Sequence, residues 1–259
     1  MATLPTTHPT GLIFADESGW GKVDNVFGVG ALKLADPDAV LEPFAELRRA
    51  TPQINKMRWT DITDTSDSLV ELIEAALRIV TGTTGAAFSC VLVDHARIDV
   101  KSRWGSIWNA YTALLCEALD PLIDDAEVVA VLPDATSPPR GTQIERPVQA
   151  RTNASKSRLA IAGVQRIESA ACDGTQLADV MLGAIAYELR RAWAGAPSNS
   201  RKSDLSLKLL DYYGLTAYHD AKGGRSIAGK LDVKLYPLPT RRGSRGARTT
   251  ASKRAHNPS

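Results

Sequence analysis

Four short, near-continuous apolar runs constrain this chain more than any other feature: Gly11 to Ala15, Val26 to Leu34, Ala86 to Val93 and Glu127 to Leu132. Runs of this length, rich in Val, Leu and Ile and bounded by turn residues, read as buried strands rather than helices. The first two lie a hairpin's length apart. Between and after the runs the spacing turns helical. Pro37-Asp38 opens a helix carrying Val40, Leu41, Phe44 and Leu47, and Ser66 to Thr81 places Leu69, Leu72, Ile73, Leu77 and Val80 on one face. Trp104 to Leu119 predicts a third helix, with an aromatic stripe that reads as core. Asp173-Gly-Thr-Gln176 predicts a capping box that starts a helix reaching about Trp193. A short helix over Leu205 to Tyr213 and further strands over Leu159 to Ile167 and Leu231 to Leu235 complete the reading. Early paired strands followed by alternating helices and strands imply an α/β or α+β sheet with helices packed against it.

The 259 residues are enough for one large domain or two small ones, and a 44% hydrophobic composition excludes a wholly disordered chain. Net charge is +2, but it is unevenly spread. Six of the 31 basic residues and none of the 29 acids lie in 237–259, so residues 1–236 carry −4. An acidic body with a basic tail differs from a neutral protein. The tail is poor in apolar residues and is expected to be disordered. Cys90, Cys116 and Cys172 are odd in number and far apart, which excludes a disulfide scaffold and fits free thiols in a reducing compartment. The N-terminus has no leader pattern and no stretch is long enough to span a membrane, so the expectation is a soluble, cytoplasmic protein.

Several chemistries are excluded by what is missing. Gly21-Lys22 and Gly229-Lys230 lack the spacing of a phosphate-binding loop. Gly28-Val-Gly30 lacks the third glycine of a dinucleotide loop, and there is no G-x-S-x-G elbow. Lys222-Gly-Gly-Arg225 reads as a flexible turn. What remains is a set of carboxylates at the ends of apolar elements. Asp16 and Glu17 end the first strand, Asp134 ends a later one, and Asp179 sits in the first turns of an apolar helix. Adjacent strand ends and a helix packed on that edge bring such groups together, where they repel one another unless protonated or bound to cations. Hard divalent ions such as Mg²⁺ or Mn²⁺ suit an all-oxygen site, and a pair of them can activate water for phosphodiester cleavage. Each residue also has a plainer reading: an Asp after a strand forms turns, and an Asp near a helix start answers the dipole.

Phe14-Ala15-Asp16-Glu17-Ser18-Gly19, Lys56-Met57-Arg58-Trp59, the apolar strand into Asp134, and Gln176-Leu-Ala-Asp179-Val-Met-Leu-Gly183-Ala-Ile together resemble domain-of-unknown-function family 3800 (DUF3800) in residues, order and approximate separation. The resemblance covers roughly residues 11 to 193. It implies an RNase H-like mixed sheet flanked by helices, with acidic residues in nuclease-like positions. The implied organisation is a flexible 1–10, a single domain over 11–236 and a disordered basic tail over 237–259. The implied metal ligands are Asp16, Asp134 and Asp179, with Glu17 beside the first. Gln176 and Ser169 are implied auxiliaries. The family commonly carries a glutamate where this chain has Lys56, and Asp61 is the nearest carboxylate that can substitute for it. Lys56 and Arg58 beside Trp59 read either as nucleic-acid contacts, joined by Arg241, Arg242, Arg245 and Arg248 of the tail, or as a surface pair beside a core tryptophan.

Three functions follow as expectations. The first is a nuclease using Mg²⁺ or Mn²⁺, the second a catalytically impaired nucleic-acid-binding or accessory module of the same fold, and the third a small-molecule hydrolase using the same carboxylates.

Overall fold

The apolar runs do form strands, and their ends meet at one edge of a single sheet. A computed structural model describes residues 8–19, 25–135, 142–194, 200–218 and 231–236. The strands are β1 (Thr10–Ser18), β2 (Val26–Leu34), β3 (Ala86–Asp94), β4 (Val128–Pro133), β5 (Ile161–Val164) and β6 (Leu231–Tyr236). They lie in the order β5-β4-β1-β2-β3-β6. β1, β2 and β3 form an antiparallel meander, while β4 runs parallel to β1, β5 to β4 and β6 to β3. Two antiparallel steps restore direction, so every strand except β2 delivers its C-terminal end to the same edge.

The helices are α1 (Asp38–Ala50), α2 (Asp67–Gly82), α3 (Val100–Trp104), α4 (Ile107–Leu119), α5 (Glu145–Ser155), α6 (Asp173–Ala194) and α7 (Ser200–Tyr212). Strand alternation divides the core into two layers. Phe14, Leu32 and Phe88 face one side, with Leu177, Leu182 and Leu209, whereas Ile13, Val29 and Val91 face the other, with Tyr111, Leu114 and Leu115. All nine residues of β2 are buried, as a strand covered on both faces requires. Each fully buried Leu, Ile or Phe contributes about 1.5–3 kcal/mol. Gly30 serves this packing directly. A Cβ there would lie 2.7 Å from Phe88 Cζ and 3.1 Å from Leu182 Cβ, so its absence lets α6 settle on the sheet.

Several expectations change. The helix drawn from Trp104 breaks at Gly105, whose φ of 79° suits glycine, so Trp104 ends α3 and Ser106 caps α4 through the Asn109 N–H. Helix α5 was not expected from the sequence. The predicted capping box does not close, because the Gln176 side chain is committed to Met57 and Ser169 instead. The basic tail, with Arg241, Arg242, Arg245 and Arg248, lies outside the described residues, as do Lys222 to Arg225 and residues 1–7. Cys90, Cys116 and Cys172 are free thiols, Cys90 buried and the other two half-buried. Among the described residues no helix is long and apolar enough to cross a membrane.

Candidate active site

The site starts from strand alternation. Asp16 follows Leu12 and Phe14 on the α6 side of β1, whereas Glu17 follows Ile13 and Ala15 toward the α4 side. Asp134 comes immediately after β4, and its N–H donates to the carbonyl of Ala15 at 2.9 Å, which sets it beside Asp16. Its Oδ1 accepts the N–H groups of Ala135 (2.8 Å) and Ser169 (2.9 Å). These contacts are not those of an Asx turn, and they leave Oδ2 without a protein partner among the described residues.

Helix α6 supplies the opposite wall. Gln176, Asp179 and Gly183 fall at i, i+3 and i+7, on one face. All three receive the segment 57–59. Gln176 Oε1 accepts the Met57 N–H at 2.7 Å, and Asp179 Oδ2 accepts the Trp59 N–H at 2.7 Å. A Cβ at Gly183 would lie 2.2 Å from Trp59 Cγ, so only glycine admits the indole. Residue 58 is extended (φ −134°, ψ 141°), and alternation sends Met57 and Trp59 into the core. Lys56 and Arg58 are left to line the cleft. Lys56 Nζ donates to Ser169 Oγ at 2.5 Å, and Ser169 returns to α6 because its carbonyl accepts Gln176 Nε2 at 2.9 Å.

The result is a cleft of about 210 Å³ lined by Asp16, Glu17, Lys56, Met57, Arg58, Asp134, Ser169, Gln176 and Asp179. Eight of these nine were expected as site residues; Met57 is the addition. Asp61 is not among them. It is exposed in the 3₁₀ turn Trp59–Asp61 and meets the Thr60 hydroxyl, so it does not take the place expected of a glutamate at position 56. Gln176, expected as an auxiliary, is 1% exposed and spends its amide on the Met57 N–H and the Ser169 carbonyl.

Electrostatics make the carboxylates interdependent. Burial pushes the Asp16 carboxyl well above its ordinary range, and the charges of Asp179, Glu17 and Asp134 push it further. Burial also raises Asp179, against the pull of the Trp59 N–H, a hydrogen bond with Asp16, and the charges of Lys56 and Arg58. Each of the two carboxyls therefore resists ionising beside the other. The buried Tyr111 phenol is raised by burial first, then by Glu17, Asp16 and Asp134. Two further cations escaped the sequence reading. Arg190, on the same α6 face, donates to Ser18 Oγ at 3.1 Å, and Lys202 from α7 sits 5.9 Å from the Trp59 ring. Burial lowers Lys202, while Asp61 and Asp179 pull it back up. Arg190 was legible in principle from its i+11 spacing to Asp179; Lys202 carried no such signal.

Among the described residues no three Asp, Glu, His or Cys side chains converge as a ready-made metal cage. Mg²⁺, however, is ordinarily held by one or two carboxylates, with water and substrate phosphate completing its octahedron. A pair of neighbouring carboxyls whose ionisation is opposed by burial, and at Asp16 also by its neighbour's charge, suits such an ion, whose charge would offset that cost. Asp16 and Asp179 are the residues able to hold it.

No protein-family model and no curated protein matches the chain. Among solved structures it is similar to a chain of the PCNA:RNase HII complex from Archaeoglobus fulgidus, at 14% identity over 78% of this chain and 88% of that one, with a TM-score of 0.44. It is likewise similar to ribonuclease H2 from Pyrococcus horikoshii OT3, at 14% identity over 79% and 89%, TM-score 0.44. A third is Bst-RNase HIII in complex with Mn²⁺, at 13% identity over 80% of this chain and 63% of that one, TM-score 0.45. Likeness at this level carries no argument. The fold class, a mixed α/β sheet flanked by helices, rests on the strand order and senses given above.

Proposed function

We propose that the chain is a divalent-ion-dependent phosphodiesterase acting on DNA or RNA, and a member of DUF3800. The observation that carries this reading is the Asp16–Asp179 carboxyl pair, Asp16 buried and Asp179 half-buried, in a cleft that Lys56, Arg58 and Ser169 also line. Acceptors for a cation face donors for an anion across one small space, as a phosphodiester and its metal require.

Asp16 and Asp179 would hold the ion, with Asp134 Oδ2 and Glu17 at the rim. Bound Mg²⁺ or Mn²⁺ would supply Lewis acidity and a more acidic water. The protein's part is positional. The Trp59 N–H orients Asp179, the two N–H groups on Asp134 Oδ1 leave its second oxygen facing the cleft, and Arg58 draws in the polyanion. Hydrolysis adds the water's hydroxyl to phosphorus as the P–O ester bond breaks, and the water's other proton ends on the departing oxygen. The test is a cleavage screen over single- and double-stranded DNA and RNA. Cleavage is expected with Mg²⁺ or Mn²⁺, abolished by EDTA and lost in Asp16→Asn. A folded wild type that cleaves none of these with either ion refutes the reading.

A second reading, a nucleic-acid-binding module without catalysis, is favoured by an ammonium, Lys56, in the cleft and by the lack of a three-carboxylate group among the described residues. It predicts binding without cleavage, with deletion of residues 240–259 flattening the salt dependence.

A further inference from the structure

Lys56 shares its cleft with four carboxylates, yet its ammonium donates to none of them. Its one side-chain hydrogen bond among the described residues goes to a neutral hydroxyl, Ser169 Oγ, at 2.5 Å. An ammonium has three N–H donors, so two remain. Because Ser169 Oγ accepts from Lys56, its own proton is left to donate. The pair therefore offers three donors, two of them on the ammonium, beside carboxylates of which Asp16 is buried and the others half-buried.

The pair is also built rather than incidental. Gln176, 1% exposed, ties both partners to α6. Its Oε1 holds the Met57 N–H next to Lys56, and its Nε2 holds the carbonyl of Ser169. The Ser169 N–H is fixed in turn on Asp134 Oδ1 at 2.9 Å. Lys56 and Ser169, 113 residues apart in sequence, are thus locked by one buried amide at a fixed offset from Asp134. A flexible surface lysine would lose rotamer entropy on binding an anion; this one is already constrained.

We infer that Lys56 and Ser169 form a clamp for a non-bridging oxygen of the phosphodiester that enters the cleft, acting as positioning residues that set the phosphorus against the Asp16–Asp179 pair. The identity of the ligand rests on the phosphodiesterase reading; the clamp itself rests on the donor geometry. It places a permanent positive charge on the phosphate that needs no metal, so part of the affinity persists in EDTA.

The experiment measures binding of a fluorescently labelled single-stranded oligonucleotide to the full chain in EDTA, with inorganic phosphate as competitor. Lys56→Gln and Ser169→Ala are each expected to weaken binding about tenfold, and the double variant no more than Lys56→Gln alone, since the two act as a unit. Phosphate should compete more strongly against wild type than against Lys56→Gln. In cleavage assays both variants should raise KM while leaving the Mn²⁺ concentration for half-maximal rate unchanged, a split that a merely structural role would not produce. Thermal melts of each variant verify folding. Unaltered binding by the single variants, or deficits that multiply in the double, overturns the clamp. Cleavage by wild type beside unaltered Lys56→Gln binding removes the clamp and leaves the phosphodiesterase reading standing. Clamp behaviour without cleavage under any metal supports the clamp and refutes that reading.

Discussion

Gly183→Ala tests how the site is held. In an isolated helix the change would stabilise by about 1 kcal/mol, because alanine is the better helix former. Here the added Cβ would stand 2.2 Å from Trp59 Cγ, 2.4 Å from its Cβ and 2.7 Å from its Cδ1, where ordinary contact begins near 3.4 Å. These atoms lie at the root of the indole, so no side-chain rotation clears them. Trp59 is 4% exposed, between α6 and its neighbours, and the whole segment must retreat. Overpacking of this kind costs about 1–3 kcal/mol. Retreat also stretches the Trp59 N–H bond to the Asp179 carboxylate, worth about 1.5–3 kcal/mol as a bond to a charged group. Set against the helix gain, the net is a loss of about 1.5–5 kcal/mol. Urea unfolding followed by circular dichroism measures it, with Gly82→Ala as control, since nothing lies within 4 Å of a Cβ there. The control should be neutral or slightly stabilised. A Gly183→Ala protein as stable as wild type would refute the claim that this glycine seats Trp59 and, through it, Asp179.

Two other outcomes are expected. Asp16 and Asp179 are raised in the folded state, so without metal the folded protein binds more protons than the unfolded chain above the ordinary carboxylate range. Their contribution to stability is present below the unfolded value and is lost as pH rises through the folded values; thermal melts in EDTA should show this decline, and Asp16→Asn should flatten it. Gln176→Leu, which leaves the buried Met57 N–H unpaired and the Ser169 carbonyl with only the Cys172 N–H as donor, should cost about 1–3 kcal/mol in urea unfolding.

The parts of this fold that could be read from sequence are those fixed by local pattern. β2 is apolar throughout because both its faces are covered, and its bounds, Val26–Leu34, coincide with the apolar run. Asp16 and Asp134 were legible as carboxylates at strand ends because buried strands terminate where polarity returns. What escaped depended on partners distant in sequence. Helix α5 buries only Val148 and Thr152 and carries Pro147 in its first turn, so no apolar face announces it. Gln176 mimics a capping residue, yet two backbone groups claim its amide, one of them, the Met57 N–H, 119 residues away. Lys56 read either as a nucleic-acid contact or as a surface charge, since nothing local announces its bond to Ser169, and Asp61, exposed and bonded to the Thr60 hydroxyl, does not line the cleft.

The central claim, that Asp16 and Asp179 together hold a divalent ion, is tested most directly by Mn²⁺ titration calorimetry in buffers of different ionisation enthalpy. Metal binding to a protonated ligand releases the proton to buffer, so the measured heat should vary with the buffer. The prediction for wild type is saturable Mn²⁺ binding with release of up to one proton per chain, and loss of that binding in Asp16→Asn and Asp179→Asn. Equal Mn²⁺ binding by wild type and both variants, or none by folded wild type, would contradict it.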